Sequence, residues 1–138
     1  MREILFRGKR LDNGEWTEGY LLEQNTPSYN AYVVPHIMIE QDNRHTDILE
    51  HEIEEVDPAT VGQYTGLTDK NGKKIFEGDI VRGTDALERG LEVYGYIDHK
   101  NGSFVIVGDV MTHYRWLDYD VEIIGNIHDN PELLEVGE

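Results

Sequence analysis

Three Asn-Gly pairs divide this chain: Asn13-Gly14, Asn71-Gly72 and Asn101-Gly102. Each lies between stretches that alternate apolar and polar residues. Asn and Gly both tolerate positive φ, which a two-residue type I′ turn requires at its two central positions. The pattern therefore predicts three β-hairpins. No segment carries the sustained 3.6-residue apolar period of a long amphipathic helix. The expected fold class is all-β, with one or two short helical turns.

Turn position fixes register, and register fixes which side chains share a face. A two-residue turn at Asn101-Gly102 sets Ile97 opposite Ile106, Gly95 opposite Gly108 and Val93 opposite Val110. All six fall on one face, with Tyr94, Tyr96 and Asp98 on the other. The same rule applied to Asn13-Gly14 sets Leu11 opposite Trp16, Gly8 opposite Gly19 and Phe6 opposite Leu21. Leu5, Arg7, Trp16, Tyr20 and Leu22 then share the second face. Between these hairpins, "NAYVVPHIMIE" and "HEIEEV" read as strands. Pro35 cannot donate to a ladder, which predicts an edge or a bulge there. "DPATVGQ" predicts a helical turn with Asp57 as N-cap and Pro58 at its first position. "DNPELLEV" predicts a second, capped by Asn130, and "TDALERG" an exposed turn.

The chain's 138 residues suit one domain or two small ones. With no cysteine, disulfides and thiolate metal sites are excluded. No apolar run approaches a membrane span, and the charged start "MREILFRGKR" lacks a signal-peptide core, so the expected location is cytoplasmic. Twelve basic residues stand against 28 acidic ones, a net charge of −16. That balance opposes nucleic-acid backbone binding, which neutralises phosphates with Lys and Arg. Acidity of this kind serves solubility, or else imitates DNA charge toward a basic partner. The few cations are uneven: Arg2, Arg7, Lys9 and Arg10 cluster at the start, while five of the eight residues from Glu50 to Asp57 are acidic.

The stretch "QYTGLTDKNGKKIFEGDIV" from Gln63 to Val81 combines glycines, lysines and carboxylates, so it invites a chemical reading. A phosphate loop needs four residues between its glycines and then Lys-Ser/Thr. Here five residues separate Gly66 from Gly72, and Lys73 precedes Lys74. A calcium loop begun at Asp69 would place Lys74 where Gly belongs and Ile80 where the bidentate Glu belongs. Both motifs fail. The stretch reads instead as a hairpin turn at Asn71-Gly72, with Asp69 facing Lys74. A tight turn at Gly78 follows, entering the first strand of a small SH3-like barrel; Gly72 and Gly78 are expected at positive φ.

Other constellations are equally thin. His51-Glu52 opens like a zincin motif, but Glu55 stands where the second His belongs. His36, His45 and His51 could still converge on a metal. Ser28 and Ser103, the chain's serines, both fall in or beside turns, away from an evident base. No catalytic, metal or cofactor-binding residue is assigned. The aromatic residues Tyr94, Tyr96, Tyr114, Trp116 and Tyr119 form the candidate interaction surface. Without neighbouring Lys or Arg they fit a protein contact better than base stacking.

Three blocks, "FRGKRLDNGEWTEGYL", "VDPATVGQYTGLTDKNGKKIFEGDIV" and "EIIGNIHDNPELL", together resemble the YopX family. The resemblance spans nearly the whole chain in one order. It implies phage or prophage origin and an SH3-type barrel in the C-terminal half; it supplies no catalytic residues. The combined expectation is an N-terminal β-hairpin part, residues 1–62, and a C-terminal SH3-like barrel, residues 63–138. The expected function is that of a non-enzymatic accessory protein working through protein–protein contacts. Its expected partners are a second copy of itself and an unidentified phage or host protein, with no nucleic acid, membrane or cofactor. A DNA-mimicking inhibitor and a hydrolase with paired carboxylates stand as the alternatives.

Overall fold

The computed structural model describes residues 4–24, 30–34, 54–85, 92–109, 112–114, 116 and 119–134. Its regular structure is antiparallel β-sheet, with 3-10 turns at Pro58–Thr60 and Pro131–Leu134. The chain divides into two compact units, Met1–Gln63 and Tyr64–Glu138.

In the first unit β1 (Phe6–Lys9), β2 (Trp16–Gln24), β3 (Asn30–Val34) and β4 (Glu54–Val56) pair in chain order. The far edge of β4 then meets the end of β1. Arg10 bridges Val56, the Leu11 amide donates to the Glu55 carbonyl at 3.0 Å, and the Asp57 amide donates to the Lys9 carbonyl at 2.8 Å. The four strands therefore close on themselves, which leaves β4 without an open edge along these residues. Little room remains inside so small a ring, and its residues are small: Ala31, Val33 and Val56 are fully buried, with Leu21 and Val61 against them. Gly8 belongs to this interior, since a Cβ there would stand 2.9 Å from the Val56 side chain. A 3-10 turn follows β4; Asp57 caps it, its carboxylate accepting from the Ala59 amide at 3.0 Å, as predicted.

Ring closure also corrects the first hairpin. The predicted two-residue turn is a four-residue loop, Leu11 to Gly14, closed by the Arg10 amide donating to the Glu15 carbonyl at 2.9 Å. Of the two turn residues only Gly14 has positive φ, at 72°. The observed partners are Lys9 with Trp16 and Phe6 with Gly19, a shift of two residues from the prediction. Leu11 leaves the hairpin because its amide is committed to Glu55, on a distant strand. A shift of two preserves facing, so the predicted division into two faces stands.

β5 (Gly62–Thr68) starts in the first unit, where Gly62 and Gln63 pair with Arg7 and Phe6. In the second unit its remainder pairs with β6 (Lys74–Phe76). A five-stranded sheet follows, in the order β10-β9-β8-β7-β11. Its members are β7 (Asp79–Asp85), β8 (Glu92–Lys100), β9 (Ser103–Val107), β10 (Thr112–His113) and β11 (Tyr119–Asn126). Ile75, Val81, Val93, Ile97, Ile106, Trp116 and Val121 form its core. Each such side chain contributes roughly 1.5–3 kcal/mol of burial.

The third hairpin follows its prediction. Asn101 and Gly102 both have positive φ, 53° and 81°, and Ile97 faces Ile106. The ladder ends at Val107, short of the predicted Gly95–Gly108 pair. β9 crosses so near Gly95 that a Cβ there would overlap the Val107 carbonyl.

The last turn corrects a further expectation. Asn130 was predicted to cap the last turn with its side chain. Its carbonyl accepts from the Leu133 amide at 3.0 Å, but its Oδ1 turns back to the Asn126 amide at 3.2 Å. β3, the strand before Pro35, lies between β2 and β4; Pro35 itself, where an edge or a bulge is expected, is outside the described residues. Most of "TDALERG" lies outside them too, and its first two residues extend β7.

Candidate interaction surfaces

The turn between β5 and β6 answers the question raised by its carboxylates and lysines. The Asp69 amide donates to the Lys73 carbonyl at 2.7 Å, and the Gly72 amide donates to the Asp69 carbonyl at 2.9 Å. This is a three-residue loop with Gly72 at φ 84°, not the two-residue turn predicted. Asp69 consequently faces Lys73, while Lys74 faces Thr68. The Asp69 side chain dictates the difference. It is buried, and its Oδ1 accepts from the amides of Asn71 (2.8 Å) and Lys73 (2.9 Å). Its Oδ2 accepts from the Ile123 amide at 3.0 Å, and the Lys70 amide donates to the Val121 carbonyl at 3.0 Å. The turn thus covers the edge of β11 with matched donors and acceptors. Burial pushes the Asp69 carboxyl up; the amides of Ile123, Lys73 and Asn71, with the Lys73 charge, outweigh it, and the net shift is downward.

Gly78 has φ 90°, as predicted, and its amide donates to the Ile97 carbonyl at 2.8 Å. Buried Asp79 accepts from the Phe76 amide at 2.8 Å, closing the turn into β7. Asp69 and Asp79 are therefore both occupied by backbone amides. Among the described residues no group of three or more His, Asp or Glu side chains could hold a metal ion. His36, His45 and His51 lie outside those residues.

The five predicted surface aromatics do not share one place. Tyr94 and Tyr96 stand on the face of β8 opposite Val93 and Ile97, and they line a pocket of about 360 Å³. Gly95, Val107, Gly108, Asp109 and Leu134 complete its lining. The Tyr94 hydroxyl donates to the Leu133 carbonyl at 2.7 Å, which holds the C-terminal 3-10 turn beside the pocket. Tyr114 is 51% exposed and does not line this pocket. Trp116 is a correction: it is only 4% exposed, packed in the core, with its indole Nε1 donating to the Phe104 carbonyl at 2.8 Å. An indole that finds both apolar neighbours and a carbonyl has no reason to face water. Tyr119 belongs to β11, pairing with Asp85.

A second surface lies on the outer face of the first unit's strands. Tyr20 and Leu22 project there, 46% and 43% exposed, with Trp16 and Glu18 on the same strand. Leu22 pairs with half-buried Tyr32 of β3. On β1, Arg7 lies 4.5 Å and Lys9 5.8 Å from the Trp16 ring centre. The alternation "WTEGYLL" places Tyr20 and Leu22 opposite the small interior residues, but it does not show that their face is left open.

Among the described residues, no helix is long and apolar enough to cross a membrane. No curated protein matches the chain. A crystal structure of protein EF1440 from Enterococcus faecalis is similar, with a TM-score of 0.55 and 26% identity, covering 97% of this chain and 99% of that one. The family model described as YopX protein matches residues 5–135, taking in both units. The chain belongs to the YopX family.

Proposed function

We propose that this protein is a non-enzymatic accessory protein, of phage or prophage origin, that works by protein–protein contact and first of all by self-association. The observation that carries the reading is the outer face of β2. Tyr20 and Leu22 remain open to solvent on a sheet whose opposite face is a closed interior. Apolar side chains clustered on a rigid sheet, with charges around them, have the composition of an interface. The surrounding charges are of both signs: Arg7 and Lys9 on β1, Glu18 on β2 and Glu55 on β4. A patch with both signs about an apolar centre can complement itself across a two-fold axis. The occupied carboxylates of the Asp69–Asp79 stretch support a structural role for the block that most resembled a catalytic one.

Light scattering of the double variant Tyr20→Ser/Leu22→Ser tests this reading against Leu11→Ser, which removes a side chain 57% exposed in the first hairpin loop. The double variant is expected to lower the weight-average mass, and Leu11→Ser to leave it at the wild-type value. Equal masses for all three proteins would remove the basis for this contact.

A further inference from the structure

We infer that the pocket beside Tyr94 is a binding site for an arginine side chain presented by a basic partner protein. Its walls combine three chemistries that a guanidinium group uses together. Tyr94 and Tyr96 alternate along β8 and present aromatic surface on one face. A planar cation stacks on such rings, and the more so where water is partly excluded. Asp109, an exposed residue of the lining, supplies a carboxylate to which a guanidinium can donate in parallel. Val107 and Leu134 offer apolar surface for the aliphatic stem of the same side chain.

The pocket is formed before any ligand arrives. The Tyr94 ring is fixed by its 2.7 Å hydrogen bond to the Leu133 carbonyl, and that bond also holds the turn that carries Leu134. Across the sheet, Gly95 and Gly108 bring the backbones close, and a Cβ at Gly95 would overlap the Val107 carbonyl. A volume of about 360 Å³ is at the small end of ligand sites, of order 300–1,000 Å³, and suits one long side chain. Charge decides the sign of the occupant. Among the described residues none that lines the pocket is basic; Arg82, which pairs with Tyr94 from β7, lies 3.7 Å from the Glu122 carboxylate, and the whole chain carries −16, which opposes an anion at long range. This site lies in the second unit and does not depend on the β2 contact proposed above.

Amide NMR of the full chain titrated with N-acetyl-arginine methylamide tests the assignment, with the neutral isostere N-acetyl-citrulline methylamide as comparison. The expected result is saturable shifts confined to Gly95, Gly108, Asp109 and their neighbours, at least about tenfold weaker with citrulline, which corresponds to ~1.4 kcal/mol. Asp109→Asn, an exposed change, and Tyr96→Leu, which keeps every charge, are each expected to abolish saturation while the remaining spectrum is retained. Equal response to both probes would overturn the site. So would shifts scattered over the acidic surface, or binding that survives in Asp109→Asn.

Discussion

Replacing Asp69 by alanine removes one side chain that holds three backbone amides, those of Asn71, Lys73 and Ile123. Two of these amides shape the β5–β6 turn, and the third lies in β11. Each loses a charged acceptor in a partly buried setting, where an unsatisfied donor costs about 1–3 kcal/mol. Water reaches some of the freed amides, so we expect a total loss of about 3–5 kcal/mol for Asp69→Ala. Asp69→Asn keeps one carbonyl oxygen but aims an NH₂ group at a donor, and we expect a loss of about 2 kcal/mol. Urea denaturation of the full chain measures both, and hydrogen exchange at the Ile123 amide reports the long-range bond separately. The pH dependence carries a definite sign. The Asp69 carboxyl titrates below its ordinary value of 3.8 in the folded protein, so the unfolded chain takes up the proton first as pH falls. Its contribution is complete above 3.8 and is lost as pH drops from there through the folded value. The stability gap between wild type and Asp69→Asn should therefore hold steady at neutral pH and narrow in strong acid. A loss under about 1 kcal/mol for Asp69→Ala, with unchanged exchange at Ile123, would refute the claim that this carboxylate ties the turn to β11.

Other consequences follow from packing. Gly95→Ala forces a Cβ onto the Val107 carbonyl and is expected to lower the urea midpoint by the equivalent of about 2 kcal/mol or more; a neutral result would mean that β9 does not cross so near. Trp116→Phe keeps an aromatic ring but loses the hydrogen bond to the Phe104 carbonyl. It should cost about 1–3 kcal/mol and remove the blue-shifted emission of a buried indole, leaving that of Trp16; a wild-type-minus-variant spectrum typical of a solvent-exposed indole would contradict its placement. Arg10→Ala removes partly exposed ion pairs to Asp12 and Glu54 and should change stability by less than about 1 kcal/mol in a thermal melt.

Where a turn and the strands beside it agreed locally, the fold was legible in the sequence. Asn101-Gly102 set the β8–β9 register because both residues adopt positive φ and, among the described residues, no distant group takes the flanking amides. Asn13-Gly14 carried the same dipeptide with a different result, because the Leu11 amide is taken by Glu55, more than forty positions along the chain. The Asp69 turn differed for a similar reason. Its side chain spends one oxygen on its own loop and the other on Ile123, 54 residues away. Aromatic residues were visible as residues but not as places. Tyr94 and Tyr96 follow the strand alternation to one face, whereas Trp116 is drawn inward by a carbonyl on β9 that no local pattern announces. The pocket itself needed Asp109 and Leu134, which only the tertiary fold brings to Tyr94.

Sedimentation velocity of the wild-type chain over a wide concentration range reads self-association itself. The expected sedimentation coefficient rises with concentration toward that of a dimer or larger species, and Tyr20→Ser/Leu22→Ser abolishes the rise. A single monomeric boundary at every concentration would contradict it.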